Sequence, residues 1–429
     1  MVTIVKRENY KIFLIVSLYT FFAWILLYPG FYSDDSLSVI DELKNHVFVG
    51  GQGLFWNVYV YITSLFTYSF PLTILISSLT LNLSIVFLCV DFFPKTSKAW
   101  IYFIILIPSV WGFGNTLWHD VTFTAGFILM FKVLINLPSK EEKLGIKDTA
   151  IILVAILLLL TRLNGVLIVI ALILILIFKL KLISKNYLAF SSMVFTLLLS
   201  VIPGLIVEDK RIEWQLDSNY FIRADLACSA SIFDTNFLDF SRIGGMENWK
   251  SKSACQWFNT YDITREDEIF YQKEIRKVFL RSAMKSPETF LYIHYLRNGY
   301  LVNPVRALKS PAPFLHTLDS RKLEDGKKSL LVNYAKKPIE FTNFIRGVSG
   351  NVPFWMIFLI LFILRLKNKR HLLLLIGLFV CSLFIVAPHP DTRFAMPLLL
   401  LGYISAIILF STRNLTKSPL YLQSDSFRE

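Results

Sequence analysis

The sequence predicts an all-α polytopic membrane protein: about ten transmembrane helices, one interfacial helix and a mainly helical extracytoplasmic domain. Three observations predict it. Of 429 residues, 55% are hydrophobic and only 17% charged, with a mean hydropathy of +0.55, whereas soluble domains carry about a quarter of their residues as Asp, Glu, Lys and Arg. The apolar runs occupy both ends of the chain and leave one polar block between them. The Lys and Arg residues behind the formal charge of +13 stand in short clusters between those runs. That is a topology signal and excludes nucleic acid as a partner.

Lipid admits only backbone that satisfies its own hydrogen bonds, so each span is a helix. In chain order the spans read as Ile12–Tyr28, Leu72–Phe93, Ala99–Phe113, Val121–Leu137, Thr149–Leu160, Gly165–Phe178, Tyr187–Val207, Pro353–Leu364, Leu372–Ala387 and Phe394–Phe410. The first follows Lys6, Arg7 and Lys11 and ends in Tyr28-Pro29-Gly30-Phe31-Tyr32 without a small-x-small cleavage pattern. It is read as a retained anchor. Leu54–Phe70 is apolar but carries Asn57, Tyr59, Tyr61 and Tyr68. Placing it along the interface puts the clusters at Lys95/Lys98, Lys140/Lys143/Lys147, Lys179/Lys181/Lys185, Arg365/Lys367/Lys369/Arg370 and Arg413/Lys417/Arg428 on the side of Lys6. Only Lys44, Arg162 and Arg393 then fall in the short outer loops.

This divides the chain into an N-terminal transmembrane module (1–207) with an outer loop at 29–71, an extracytoplasmic domain (208–352) and a C-terminal transmembrane module (353–429). In the polar block, Thr264-Arg-Glu-Asp267 reads as a capping box before an amphipathic helix with Ile269, Phe270, Ile275, Val278 and Phe279 on one side. Ser286-Pro287-Glu288 opens a second, with Leu291, Tyr295 and Leu296 spaced for burial. Cys228 and Cys255 lie in this block, as a disulfide or as two thiols. The chain has no internal repeat, phosphate-cradling glycine loop, CxxC pair, His-rich metal run or G-x-S-x-G elbow. Chemistry must come from polar residues scattered over the outer membrane surface.

Four such places stand out. Asp34 and Asp35, in Tyr32-Ser33-Asp34-Asp35-Ser36, emerge directly after the first span, as a general base with a structural or metal partner or as the N-cap of a helix over Leu37 to Leu43. His119-Asp120 sits in an otherwise uncharged turn, where a carboxylate needs a cation, a metal or water unless it caps the next helix. Arg162-Leu-Asn164-Gly165 interrupts a long apolar run as a hairpin tip, and its arginine calls for an anion, with a lipid phosphate the natural candidate and headgroup snorkelling the alternative. Pro388-His389-Pro390-Asp391-Thr392-Arg393 is the last outer turn, where Arg393 faces a phosphate or is a simple loop charge. Within the insert, Arg223, Asp225 and Arg297 are weaker candidates.

Taken in order, Ser33-Asp34-Asp35-Ser36, Trp118-His119-Asp120, Arg162/Asn164/Gly165, the Pro287 to Tyr292 helix and the Arg393 to Pro397 approach to the last span resemble the GT-C superfamily of membrane glycosyltransferases. The likeness is to bacterial members using polyprenyl-phosphate sugars, and in size and layout to O-antigen-modifying glucosyltransferases. His119 stands where relatives often have Lys, and Gly50-Gly51-Gln52-Gly53 replaces a His-Pro-like feature. The resemblance implies a GT-C-like fold in the bacterial inner membrane and a polyprenyl-phosphate-linked sugar as donor. It implies a cell-envelope glycan or lipid-linked acceptor, with inversion at the sugar. Asp35, with Asp34 next to it, takes the role of base, and Arg162, Arg393, His119 and Asn164 meet the donor phosphate. Asp120, as the second-loop acid, holds that phosphate or a divalent cation, Mg or Mn. An O-antigen-type polymerase and a polysaccharide or glycolipid transporter are the competing readings.

Overall fold

The computed structural model describes residues 2–32, 34–46, 54–66, 70–90, 92–93, 98–136, 146–162, 164–180, 191–198, 220–232, 255, 265–303, 350–366, 369, 371–386 and 392–411. Within these residues the protein is all-α: the elements are helices, and β pairing is confined to one isolated parallel bridge between Phe31 and Thr116. The N-terminal part comprises α1 (Val2–Leu27), α2 (Asp34–Lys44), α3 (Leu54–Thr63), α4 (Pro71–Cys89), α5 (Ala99–Leu106), α6 (Pro108–Gly114), α7 (His119–Asn136), α8 (Ile146–Leu159) and α9 (Gly165–Leu180). A helical stretch over 191–198 follows. The insert contributes α10 (Tyr220–Ile232), α11 (Arg265–Lys285) and α12 (Pro287–Asn298), and the C-terminal part α13 (Val352–Arg365), α14 (His371–Val386) and α15 (Met396–Ser411).

Two segments are long and apolar enough to cross a bilayer unaided, Asn9–Leu27 and Pro71–Cys89, each of 19 residues. At 1.5 Å per residue each spans about 28 Å, close to the hydrocarbon thickness of about 30 Å. The other helices at expected spans are shorter: 18 residues in α7, 16 in α9, α14 and α15, and 14 in α8 and α13. Of the expected Tyr187–Val207 span only 191–198 lie among the described residues. The expected Ala99–Phe113 span is not continuous. Pro108 disfavours helical backbone at the preceding residue, and Ile107 accordingly takes φ −56°, ψ 125°, dividing the run into helices of 8 and 7 residues. At 10 residues, or about 15 Å, α3 is too short to cross.

The core is built around α7, in which nearly every side chain from Asp120 to Ile135 is buried. It contacts α4, α8, α14 and α15. Close approach to α8 requires a glycine, because a Cβ at Gly126 would stand 2.8 Å from both the Ala155 carbonyl oxygen and Leu158 Cβ. Polar groups face inward, as where Asn82 Nδ2 donates to Thr20 Oγ1 at 2.9 Å between α4 and α1. The outward surface is apolar: Leu14, Phe22, Phe103, Ile357, Leu364, Leu374 and Phe410 are all exposed. We expect Gly126→Ala to destabilise the protein by about 1–3 kcal/mol through overpacking, read as a lower unfolding midpoint in detergent. An unchanged midpoint would mean that α7 and α8 do not touch there.

Candidate functional site

The first loop is fastened to the turn before α7 by its backbone. After α1 the chain reverses through Gly30, whose φ of 102° and contact with Ile74 exclude a side chain. Phe31 N then donates to the Asn115 carbonyl and Leu117 N to the Phe31 carbonyl, both at 3.0 Å. One turn into α2, the buried Ser36 Oγ donates to the Leu117 carbonyl at 2.8 Å. A satellite core of Tyr32, Val39, Leu43, Trp56, Val60, Phe70, Ile74 and Leu117 fills the space beneath. Across it Asn57 Nδ2 of α3 donates to Glu42 Oε2 of α2 at 2.7 Å. The start of α2, with its two acids, is thereby held beside the segment that delivers His119 and Asp120.

At the first turn of α7, Asp120 is fully buried and forms an ion pair with Arg162, the residue at the tip of the α8–α9 hairpin. The tip is clamped to α7 by Thr122 and Thr161, whose hydroxyls meet at 2.9 Å, while Gly165 N donates to the Arg162 carbonyl at 2.9 Å. A Cβ at Gly165 would overlap the Leu159 carbonyl, so only glycine permits this tight return. The Arg162 guanidinium carbon lies 4.3 Å from the Phe394 ring centroid and 5.8 Å from that of Phe123. Such cation–π contacts contribute about 0.5–2 kcal/mol. His119 Nε2 stands 3.7 Å from Asp120 Oδ2, and the Trp56 ring meets the His119 ring edge-on at 6.0 Å. One end of the molecule therefore carries α2, the His119-Asp120 turn, Arg162 and the segment of Phe394.

The expected site residues fall as follows. Asp34 opens α2 and its side chain lies outside the described residues; Asp35, next to it, is half-buried. His119, Asp120 and Arg162 come together. Asn164, 5% exposed, adjoins them, and its Oδ1 accepts no hydrogen bond in the described structure. A donor such as a ligand hydroxyl or water would satisfy it. The backbone of Arg393 lies in the short 3-10 helix Thr392–Ala395, directly before Phe394, while its side chain, like His389 and Asp391, is outside the described residues. The anion next to Arg162 is a protein carboxylate, which the sequence pattern did not reveal. Among the described residues no three His, Cys, Asp or Glu side chains converge as metal ligands, so the donor set at Asp120 does not by itself build a divalent site.

Lys132 and His294 escaped the sequence reading. Lys132 lies within the expected Val121–Leu137 span, 4% exposed, with its ammonium 5.3 Å from the Phe87 ring centroid. In the insert, the weak candidates Asp225 and Arg297 are a fully buried ion pair, joined by His294 Nε2 at 3.5 Å from Asp225 Oδ2. Burial drives the Asp225 carboxyl above its ordinary range against the pull of Arg297 and His294. Burial likewise lowers His294, with Asp225 opposing and Arg297 adding to the effect. This cluster makes a different side of α12 the buried one, and Leu291, expected to be buried, is 57% exposed. A Cys228–Cys255 disulfide, one turn along α10 from Asp225, joins positions 27 residues apart within the insert.

No protein-family model, curated protein or solved structure matches the chain.

Asp120→Leu deprives the largely buried Arg162 guanidinium of its carboxylate and is expected to cost about 3 kcal/mol, whereas Asp120→Leu combined with Arg162→Leu costs less than those two single changes summed. Thermal unfolding of the four proteins in detergent checks this; strict additivity would contradict the pair. For His294 the sign follows from its lowered value: below the ordinary 6.5 the unfolded chain binds a proton that the folded insert refuses. Stability is therefore expected to fall as pH drops from about 7.5 to 5.5, with a slope that flattens in His294→Gln. An equal loss of stability across that window in the wild type and in His294→Gln would refute it.

Proposed function

We propose that the chain is a GT-C-type glycosyltransferase of the bacterial inner membrane, transferring a sugar from a polyprenyl-phosphate donor to a cell-envelope acceptor on the outer face. The observation that carries this reading is the junction of the first loop with the α7 turn: the Phe31 bridge and the Ser36 hydrogen bond hold the Asp34-Asp35 helix against the segment bearing Asp120, and Asp120 pairs with Arg162. Residues separated by over a hundred positions thus serve one end of the helix bundle. The ten-span arrangement belongs to the same proposal. An outward surface of exposed Leu, Ile and Phe over inward Thr, Ser and Asn suits lipid, and short helices suit a locally thinned bilayer.

In this reading the donor's phosphate gains charge as the glycosidic bond breaks. Cations held beside it then stabilise the transition state more than the ground state. A guanidinium has five donors, enough to serve a carboxylate and a phosphate together. Asp120 and Phe394 fix Arg162 in place by charge and by ring contact. Asp35, with Asp34 beside it, takes the proton from the acceptor hydroxyl as oxygen attacks the anomeric carbon from the face opposite the leaving phosphate, giving inversion. The leaving group departs as polyprenyl phosphate.

Incubating the purified protein with polyprenyl-phosphate sugars and an envelope glycan fraction is expected to release polyprenyl phosphate. Asp35→Asn is expected to slow release about a hundred- to ten-thousand-fold, the usual worth of a general base. No release with any donor, or full activity in both Asp35→Asn and Asp34→Asn, would overturn the assignment.

A further inference from the structure

The corner between α11 and α12 has the wrong surface for a helix pair standing in water. On α11, Ile275, Val278, Phe279 and Ser282 are buried. At about 100° per residue, Leu280 and Met284 lie on the opposite side, and they are 59% and 77% exposed. Across the Ser286-Pro287 corner, Leu291 and Tyr292 are 57% and 50% exposed, while Ile293, His294, Arg297 and Asn298 are buried. A solvated helix places polar residues on its outer side. Beside the apolar strip of α11 stand the exposed Lys277, Arg281 and Lys285, one turn apart. Acidic residues here are few: Glu274 is engaged by Lys277 at 2.6 Å, and Glu288 stands at the start of α12. α12 contacts α14, an uncharged helix after its first residue and apolar but for Ser382, and the 3-10 turn Gly299–Leu301, which itself contacts α13.

We infer that this corner docks into the outer leaflet of the bilayer, with Leu280, Met284, Leu291 and Tyr292 entering the headgroup–acyl boundary and Lys277, Arg281 and Lys285 meeting anionic lipid headgroups. Apolar side chains flanked by lysine and arginine are the composition of interfacial helices, and a tyrosine at the boundary fits the same layer. Its neighbours favour lipid over a protein partner, because α12 is seated on the apolar helices that carry the outward Leu and Phe surface. The function of the contact is to tether the insert, and the Asp225–Arg297 core behind it, at the level where a lipid-linked substrate would enter.

The inference rests on the membrane reading, and one experiment separates the two. Nitroxide labels at Met284→Cys, Leu291→Cys, at the exposed Asp41→Cys of α2 and, on α1, at Leu18→Cys are introduced into the full chain with Cys89 and Cys381 replaced by alanine. The protein is reconstituted in vesicles of phosphatidylethanolamine and phosphatidylglycerol, and collision with oxygen is compared with collision with a water-soluble nickel chelate. Labels at 284, 291 and 18 are expected to favour oxygen several-fold over the label at 41, and exchanging phosphatidylglycerol for phosphatidylcholine should shift 284 and 291, but not 18, toward the chelate. Chelate-dominated signals at 284 and 291 with lipid signals at 18 would overturn the docking and leave the membrane reading standing. Chelate-dominated signals at all positions would overturn both. Labels at 284 and 291 shielded from both reagents would also overturn docking, indicating a protein partner or a second copy on that surface.

Discussion

A carboxylate and a guanidinium largely withdrawn from water at the same point set the geometry of one end of this helix bundle. Neither Asp120 nor Arg162 tolerates that burial alone, since an unpaired charge in such a place costs several kcal/mol. Their pairing therefore decides where the α8–α9 tip sits on the first turn of α7. The rest follows from that register. Thr161 reaches Thr122, Arg162 reaches Phe394, and the last helix is brought to the same end as the first loop. The Phe31 bridge supplies the second tie, with backbone groups that a short extended segment would otherwise leave unpaired.

Much of this was legible in the sequence, for physical reasons. Hydropathy pointed to apolar helices, and the described residues are all helical, with two segments long and apolar enough to cross a bilayer. The hairpin at Arg162 was legible because an apolar run too long for one crossing must turn, and the turn fell at a charged residue followed by Asn and Gly. The amphipathic, aromatic character of 54–70 pointed to an element that does not cross, and α3 is too short to do so. The two acids after the first span and His119-Asp120 were assigned to one side by the distribution of Lys and Arg, and the backbone bridge between 31 and 116 places their segments in contact.

What the sequence concealed depends on neighbours. Hydropathy treated Ala99–Phe113 as continuous because it averages over Pro108, whose effect on Ile107 is steric and local. It gave Arg162 a lipid partner because the carboxylate that meets it is over forty residues away, and no periodicity links them. In α12, spacing alone selected Leu291 for burial. The buried side is instead taken by His294 and Arg297, because Asp225 on α10 needs them there. Charged residues in a polar insert look solvated until their partners are known, and Lys132 was hidden for the converse reason, a single lysine within an apolar stretch.

The central claim is that the first-loop acids and the Asp120–Arg162 pair share one aqueous end. Phe31→Cys with Thr116→Cys, in a chain lacking Cys89 and Cys381 and carrying a protease site near residue 95, tests it most directly, since bridge partners lie within disulfide range. Oxidation in native membranes should leave the two fragments joined after cleavage until a reductant is added. Fragments that separate, with the two thiols reacting with impermeant reagents from opposite sides of the membrane, would contradict the account.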